Sequence, residues 1–125
     1  MSSKILIVDD SSLARRMTRK ILEDLGHAVD EAPDGPTALE SYALNRQEIV
    51  VLDMVMHGMY GLEVLQKLRE LNPELPVIVS TADIQRSTRE QVKEAGAAAI
   101  VNKPVNPSEM KEVLETVLAG GTTWN

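Results

Sequence analysis

The chain has 125 residues, and its 13 Lys and Arg against 19 Asp and Glu give a formal net charge of −6. This length fits one domain. The absence of Cys excludes disulfides and thiolate metal sites, and is compatible with a reducing cytoplasm. The longest apolar run, residues 97–101, is too short to cross a bilayer. An acidic chain with only one Trp and two Tyr is a poor general binder of nucleic acid. We therefore predict a cytoplasmic protein without membrane insertion or direct nucleic-acid contact.

Short apolar runs alternate with longer stretches of helical periodicity. The apolar runs predict strands buried on both faces, at residues 5–8, 49–52, 77–79 and 97–101. The more polar, alternating residues 27–31 predict an edge strand. The periodic stretches predict helices at about residues 12–25, 36–45, 61–71, 85–95 and 107–119.

Three finer predictions concern which side chains these elements bury. The first helix carries apolar residues that step by four and form its expected stripe, which Leu22 widens next to Ile21: Leu13, Met17, Ile21 and Leu25. The second helix has four residues expected to face inward: Ala38, Leu39, Tyr42 and Ala43. Trp124 follows the last helix, and we expect it to be exposed or frayed.

Strand and helix alternate five times in this pattern. Such alternation predicts an α/β fold, a doubly wound five-stranded parallel sheet flanked by five helices and joined by right-handed crossovers. Ligands in this architecture bind outside the carboxyl ends of the strands. The residues that follow each strand are therefore the first candidates for a functional site.

Polar side chains occupy four of these strand ends: Asp9 and Asp10, Asp53, Ser80 and Thr81, and Lys103. Three converging carboxylates repel one another, and a hard cation such as Mg²⁺, which prefers oxygen ligands, relieves that repulsion. A carboxylate beside Mg²⁺, a lysine and a hydroxyl is suited to accept a phosphoryl group. Asp53 is the predicted nucleophile because its strand lies between the other acidic strand and the hydroxyl strand.

All four motifs in this order resemble the receiver domain of two-component response regulators, especially the stand-alone chemotaxis-type members. The resemblance covers residues 4–118 and implies a flavodoxin-like fold with sheet order 2-1-3-4-5. On this basis, residues 1–119 form a receiver domain and residues 120–125 a short tail.

The resemblance also implies how Mg²⁺ is held and where the phosphoryl group goes. Asp53 would be the phosphoacceptor. Asp10 and Asp53 would bind Mg²⁺ directly, Asp9 mainly through water, and the backbone carbonyl of Val55 would add a further ligand.

Three more groups are expected to act on the phosphate, and two kinds of partner follow from the resemblance. Lys103 would pair with Asp53 and then with its phosphate, while Thr81 and the backbone N–H of Ala82 would bind a phosphate oxygen. The phosphodonor would be a phosphohistidine on a sensor histidine kinase or phosphotransfer protein. An unknown output partner would bind the face formed by residues 85–119. The chain would catalyse only its own phosphorylation and dephosphorylation, and we therefore do not class it as an enzyme.

Three residues depart from the family pattern. His57 stands where the family often has Pro, and we interpret it as an exposed loop histidine without a catalytic role. Ile100 stands where a switching Tyr or Phe is common, and Val105 stands where Phe is common. We therefore expect any switch to work without an aromatic residue at position 100.

Alternative interpretations remain at this point. The chain could be a pseudo-receiver that binds partners without being phosphorylated, although the complete acidic set with Lys103 argues against this. An Asp-nucleophile phosphohydrolase would usually carry a second Asp two residues after the nucleophile, where this chain has Val55. The first helix has a basic cluster, which is either a solvated face or a docking site for an acidic kinase: Arg15, Arg16, Arg19 and Lys20.

Overall fold

The computed structural model of the protein describes residues 3–54, 61–82 and 85–124. The strands are β1 (Lys4–Val8), β2 (Ala28–Ala32), β3 (Ile49–Asp53), β4 (Val77–Thr81) and β5 (Ala99–Asn102). The helices are α1 (Ser12–Asp24), α2 (Gly35–Asn45), α3 (Gly61–Leu71), α4 (Arg86–Glu94) and α5 (Pro107–Leu118). Each predicted strand and helix is confirmed, with bounds that differ by at most two residues at either end. Within the described ranges, no helix is both long and apolar enough to cross a membrane.

The five strands form one parallel sheet in the order β2-β1-β3-β4-β5, which confirms the predicted topology. Aliphatic residues face each other across the central strands, as in the pairs Ile5–Ile49 and Val51–Ile78. β-Branched residues suit this buried, pleated surface. β2 lies at one edge, in agreement with its polar, alternating sequence.

Helices cover both faces of the sheet, and each face has its own core. Leu22 of α1 and Met110 of α5 pack on the face that carries Ile7, Val51 and Val101. The opposite face contains a second cluster, to which α2, α3 and α4 contribute buried side chains: Tyr42, Leu65 and Val92. The two faces together explain why the central strands are apolar throughout.

Two predictions about buried helical residues are wrong. Leu13 and Met17 are 62% and 52% exposed, whereas the buried residues of α1 are Leu22, which the predicted stripe includes, and Thr18, which it does not. A step of four residues overshoots one helical turn by about 40°, so the predicted stripe rotates away from the core along the helix. Ala43 is also exposed, because the buried face of α2 follows Ala38 and Tyr42, four residues apart.

Trp124 is also not frayed, contrary to expectation. Its indole Nε1 donates a hydrogen bond to the carbonyl oxygen of Ala97 at 2.8 Å, and its ring packs against the α2, α3 and α4 core. The physical reason is that Thr123 forms a parallel bridge with Ala99 at the edge of β5. That bridge places the next residue over the groove between β5 and α4.

Candidate functional site

Three acidic side chains meet at the carboxyl edge of the sheet. Asp9, Asp10 and Asp53 each place one carboxylate oxygen within 4.8 Å of the other two. Asp9 and Asp53 are only 4% and 7% exposed, whereas Asp10 is more open to solvent. The sequence prediction that these residues converge is confirmed.

The two-residue period of a strand explains the placement of the buried site residues. Val51 and Val101 point to the face covered by α1 and α5. Asp53 and Lys103 each follow one of these residues by two positions and therefore continue the same face past the apolar core. Asp9 likewise follows Ile7, another residue of this face, by two positions.

Lys103 connects two of the acids. Its Nζ lies 2.8 Å from Asp9 Oδ2 and 3.2 Å from Asp53 Oδ1. Burial alone would lower the pKa of Lys103, but the hydrogen bond to Asp9 and the charges of both carboxylates outweigh burial and raise that pKa above its ordinary value. Lys103 therefore remains a cation that neutralises part of the acidic cluster.

Asp9 is held by several groups of the protein. Lys103 donates to Asp9 Oδ2, and the backbone N–H of Ser11 donates to Asp9 Oδ1 at 2.9 Å. The guanidinium of Arg15 donates to the Asp9 backbone carbonyl at 2.6 Å. Both oxygens of this carboxylate thus accept hydrogen bonds from protein groups, which fits the expectation that Asp9 approaches a cation mainly through water.

The hydroxyl-bearing residues occupy the end of β4. Ser80 is the register partner of Asp53, while Thr81 is the last residue of the strand and its carbonyl accepts the Lys103 N–H at 2.9 Å. Both are buried, and Ala82 next to them is exposed. Ser80 therefore lies on the Asp53 face of the ladder, and the preference for Thr81 as the phosphate ligand stays a prediction.

The oxygen donors fit a divalent cation. Three carboxylates from adjacent strand ends suit Mg²⁺, which takes few protein oxygens and keeps several waters. Val55 and His57 lie outside the described residues, so the predicted carbonyl ligand and the loop histidine stay predictions.

The basic cluster of α1 is engaged mainly by acids of the same chain. Arg15 and Arg19 contact Glu31 of the edge strand at 3.1 and 2.6 Å, and Lys20 lies 3.4 Å from Asp24. The hydrogen bond from Arg19 lowers the pKa of Glu31, and burial opposes this effect. The two pairs with Glu31 attach α1 to β2, and the Lys20–Asp24 pair lies within α1, so the cluster favours a structural role over the docking of an acidic partner.

Sequence reasoning missed an apolar cavity beside the site, of about 340 Å³. It is lined by α1 and by the segments after β4 and β5: Ala14, Met17, Thr18, Ile21, Ala82, Lys103, Pro104 and Val105. Met17, which is exposed, and Val105, which is partly buried, were the apolar residues that could have indicated it. Lys103 lines this cavity and also contacts Asp9 and Asp53, so it connects the cavity to the acidic cluster.

The model of the response regulator receiver domain family matches residues 5–115. The chain belongs to this family. Response regulator MprA of Mycobacterium sp. (strain KMS) is 37% identical to this receiver over 118 residues. That match covers 94% of the chain but 51% of MprA, so the receiver spans about half the length of this relative.

Two further relatives match the receiver over most of their length. Chemotaxis protein CheY-3 of Vibrio cholerae serotype O1 is 38% identical over 117 residues, with 91% of this chain and 90% of CheY-3 covered. A CheY-like receiver domain protein of Methanospirillum hungatei JF-1 superposes with a TM-score of 0.89 at 29% identity, covering 96% of both chains. The predicted family and fold are thereby confirmed, while the roles of the individual residues stay predictions.

Proposed function

We propose that this receiver accepts a phosphoryl group on Asp53 from a phosphohistidine of a kinase or phosphotransfer protein. One observation carries the proposal: the buried Asp53 carboxylate lies in a cluster with Asp9 and Asp10, and 3.2 Å from the Lys103 ammonium. A carboxylate nucleophile beside a fixed cation and a cation site is equipped for phosphoryl transfer. Membership of the receiver family supports the same role.

The proposed transfer is an in-line displacement. A carboxylate oxygen of Asp53 attacks phosphorus, the bond from phosphorus to the donor's imidazole nitrogen breaks, and an aspartyl phosphate forms. Lys103 is positioned to neutralise the oxygens of the transferring group, and Asp9 holds the Lys103 ammonium in place. Bound Mg²⁺, held by Asp10 and Asp53, would supply further neutralisation of that charge.

The modified residue would act as a switch. Phosphorylation replaces one negative charge by about −2 at a buried site and biases an equilibrium between two conformations. Thr81 and the Ala82 N–H would contact the phosphate, and the output face would comprise residues 85–119. The receiver catalyses only its own modification in this proposal, and its cytoplasmic location stays a prediction.

Intact mass spectrometry after incubation with acetyl phosphate and Mg²⁺ tests this function. The unmodified chain should gain one phosphoryl group, while Asp53→Asn should gain none because it lacks the nucleophilic oxygen. Asp30→Asn is the matched control, since Asp30 is an acid of β2 outside the cluster. Omission of Mg²⁺ should also suppress the adduct.

Other outcomes identify the alternatives. No adduct at any Mg²⁺ concentration would mean that the chain is a pseudo-receiver that acts by binding alone. Repeated hydrolysis of an added phosphoester would indicate a phosphohydrolase. An adduct that persists in Asp53→Asn would overturn the assignment of Asp53.

The phosphodonor is expected to meet the receiver at α1. Leu13 and Met17 are exposed there, and Met17 lines the cavity that Lys103 connects to the site. A partner must come this close to place its phosphohistidine next to Asp53, and an apolar helix face would cover these side chains.

Met17→Glu should separate docking from chemistry. We expect transfer from a histidine-phosphorylated phosphotransfer domain to slow about tenfold, because the new charge is desolvated in the contact. The rate with acetyl phosphate, which needs no docking surface, should be unchanged. Leu44→Glu, on the exposed face of α2, is the control. Equal rates for Met17→Glu and the unmodified chain with the protein donor would contradict this docking site.

A further inference from the structure

Residues 120–124, here called the tail segment, fold back onto the sheet. Gly120 has a φ of +87°, which a residue with a side chain rarely adopts, and this turn directs the chain away from α5. The Thr123 N–H then donates to the Ala98 carbonyl at 2.8 Å, and the Ile100 N–H donates to the Thr123 carbonyl at 3.1 Å. The tail segment therefore extends the sheet by a short parallel pairing at the free edge of β5.

Trp124 fixes the tail segment to α4. Besides the hydrogen bond from its indole to Ala97, its backbone carbonyl accepts from Arg89 Nη1 at 3.0 Å. The ammonium of Lys93 lies 4.7 Å from the centre of its ring, at cation–π distance. Arg89 and Lys93 are one turn apart on α4, so this helix contacts both the backbone carbonyl and the ring of Trp124.

A short chain of contacts leads from Trp124 to the phosphorylation site. Arg89 also donates through Nη2 to Asn102 Oδ1 at 3.3 Å. Asn102 is the register partner of Thr81 and immediately precedes Lys103. Arg89, which holds the tail segment, is thus hydrogen-bonded to Asn102, the last residue of β5 before Lys103.

The tail segment borders an open groove at the protein surface. The groove has a volume of about 280 Å³, and Arg69, Gly96 and Trp124 are among its lining residues. Within the described part of the chain, Nε and Nη2 of Arg69 are buried without a hydrogen-bond partner. Residues 120–124 are themselves exposed or only partly buried, so the tail segment can detach locally without unfolding the core.

We propose that the tail segment is an intramolecular ligand of the α4–β5 edge, and that phosphorylation of Asp53 releases it. This inference rests on the proposed function. While Asp53 carries no phosphate, the tail segment covers the part of the expected output face that α4 and β5 form.

The contacts around Lys103 and Arg89 explain why phosphorylation would release the tail segment. An Asp53 phosphate attracts the Lys103 ammonium away from Asp9, and this movement displaces the adjoining Asn102. The hydrogen bond from Arg89 to Asn102, at 3.3 Å, is longer than the one from Arg89 to the Trp124 carbonyl, at 3.0 Å, and is the first to be lost. Without it, the Arg89 guanidinium holds the Trp124 carbonyl less firmly and the edge of β5 opens.

Trp124 is the single tryptophan of the chain, so its fluorescence reports the release directly. In the full chain, Mg²⁺ with acetyl phosphate should shift the emission to longer wavelength and increase quenching by acrylamide about twofold. Mg²⁺ alone, and Asp53→Asn with both reagents, should leave the emission unchanged. Unchanged quenching in a sample whose mass shows full phosphorylation would overturn the inference and leave the proposed function intact. Absence of the adduct would instead refute the proposed function.

Linkage supplies a second test, because a ligand released by phosphorylation must in turn oppose phosphorylation. Arg89→Gln should bind beryllofluoride, a non-covalent analogue of the phosphoryl group, about fivefold more tightly in the presence of Mg²⁺. Arg86→Gln, on the same helix but paired with Glu90, is the control and should bind as the unmodified chain does. Trp124→Ala should reproduce the gain if Arg89→Gln folds poorly. Unchanged or weaker binding in a folded variant would overturn the inference.

Discussion

A Lys103→Met variant is expected to lose phosphoryl transfer to Asp53 while it retains its fold and its divalent-cation site. Lys103 supplies the positive charge within 2.8 Å of Asp9 and 3.2 Å of Asp53. Loss of one group that stabilises transition-state charge typically slows an enzyme about 100-fold, and we expect a similar decrease in the rate of adduct formation. Met keeps the unbranched, flexible shape of the side chain, so the substitution removes mainly the charge.

The same variant should respond more strongly to Mg²⁺. Without the ammonium, the three carboxylates repel each other more strongly, and a bound divalent cation relieves a larger repulsion. Thermal unfolding measured with and without Mg²⁺ should therefore give a larger upward shift in Tm for Lys103→Met than for the unmodified chain. Binding of Mg²⁺ and transfer of phosphate would then change in opposite directions, which general unfolding cannot produce.

The pH dependence of stability provides an independent check on the Lys103 contact. The pKa of Lys103 is raised above 10.5 in the folded protein, so its contribution is complete below about pH 10.5 and is lost as the pH rises through the folded value. The difference in unfolding free energy between the unmodified chain and Lys103→Met should thus be constant near neutral to mildly alkaline pH and decrease above it. Lys111→Met, an exposed change on α5, is the control for both measurements.

A rate of adduct formation in Lys103→Met within twofold of that of the unmodified chain would contradict the assigned role of Lys103.

The site could be predicted from sequence because it depends on strand order and strand period alone. Once β1, β3 and β5 are parallel members of one sheet, their carboxyl ends share an edge. Asp9, Asp53 and Lys103 each lie two residues beyond an inward aliphatic residue, so the alternation of the strand also places them on one face. No side-chain detail was needed for this result.

The errors came from features that local pattern does not determine. Leu13 was assigned to the core because a repeat of four resembles a helical turn, but the drift of that repeat turns the residue into solvent. The tail segment contains no apolar run and so gives no strand signal. Its pairing with Ile100 depends on a free edge of β5 and on Arg89 and Lys93 of α4, all distant in sequence.

Gly61→Ala is expected to destabilise the receiver by about 3 kcal/mol, the opposite of the usual effect in a helix. Gly61 is the first residue of α3, and Ala at a helical position is normally more stable than Gly by about 0.5–1 kcal/mol. A Cβ at this position would lie 2.5 Å from the Asp53 carbonyl oxygen, 2.8 Å from Met54 Cα and 2.9 Å from the Met54 carbonyl oxygen. All three are backbone atoms, so no side chain can rotate to make room.

Urea denaturation should show this loss as a lower midpoint, with Gln66→Ala on the exposed face of α3 as the control that stays within about 0.5 kcal/mol. The clash has a second consequence, because its nearest atom belongs to Asp53, the proposed phosphoacceptor. Relief of the contact must displace either α3 or the end of β3, where the Gly61 N–H now donates to the Met54 carbonyl at 2.9 Å. Folded Gly61→Ala should therefore also accept phosphate more slowly than the unmodified chain. Equal or greater stability of Gly61→Ala would mean that α3 does not approach Asp53 as closely as this geometry requires.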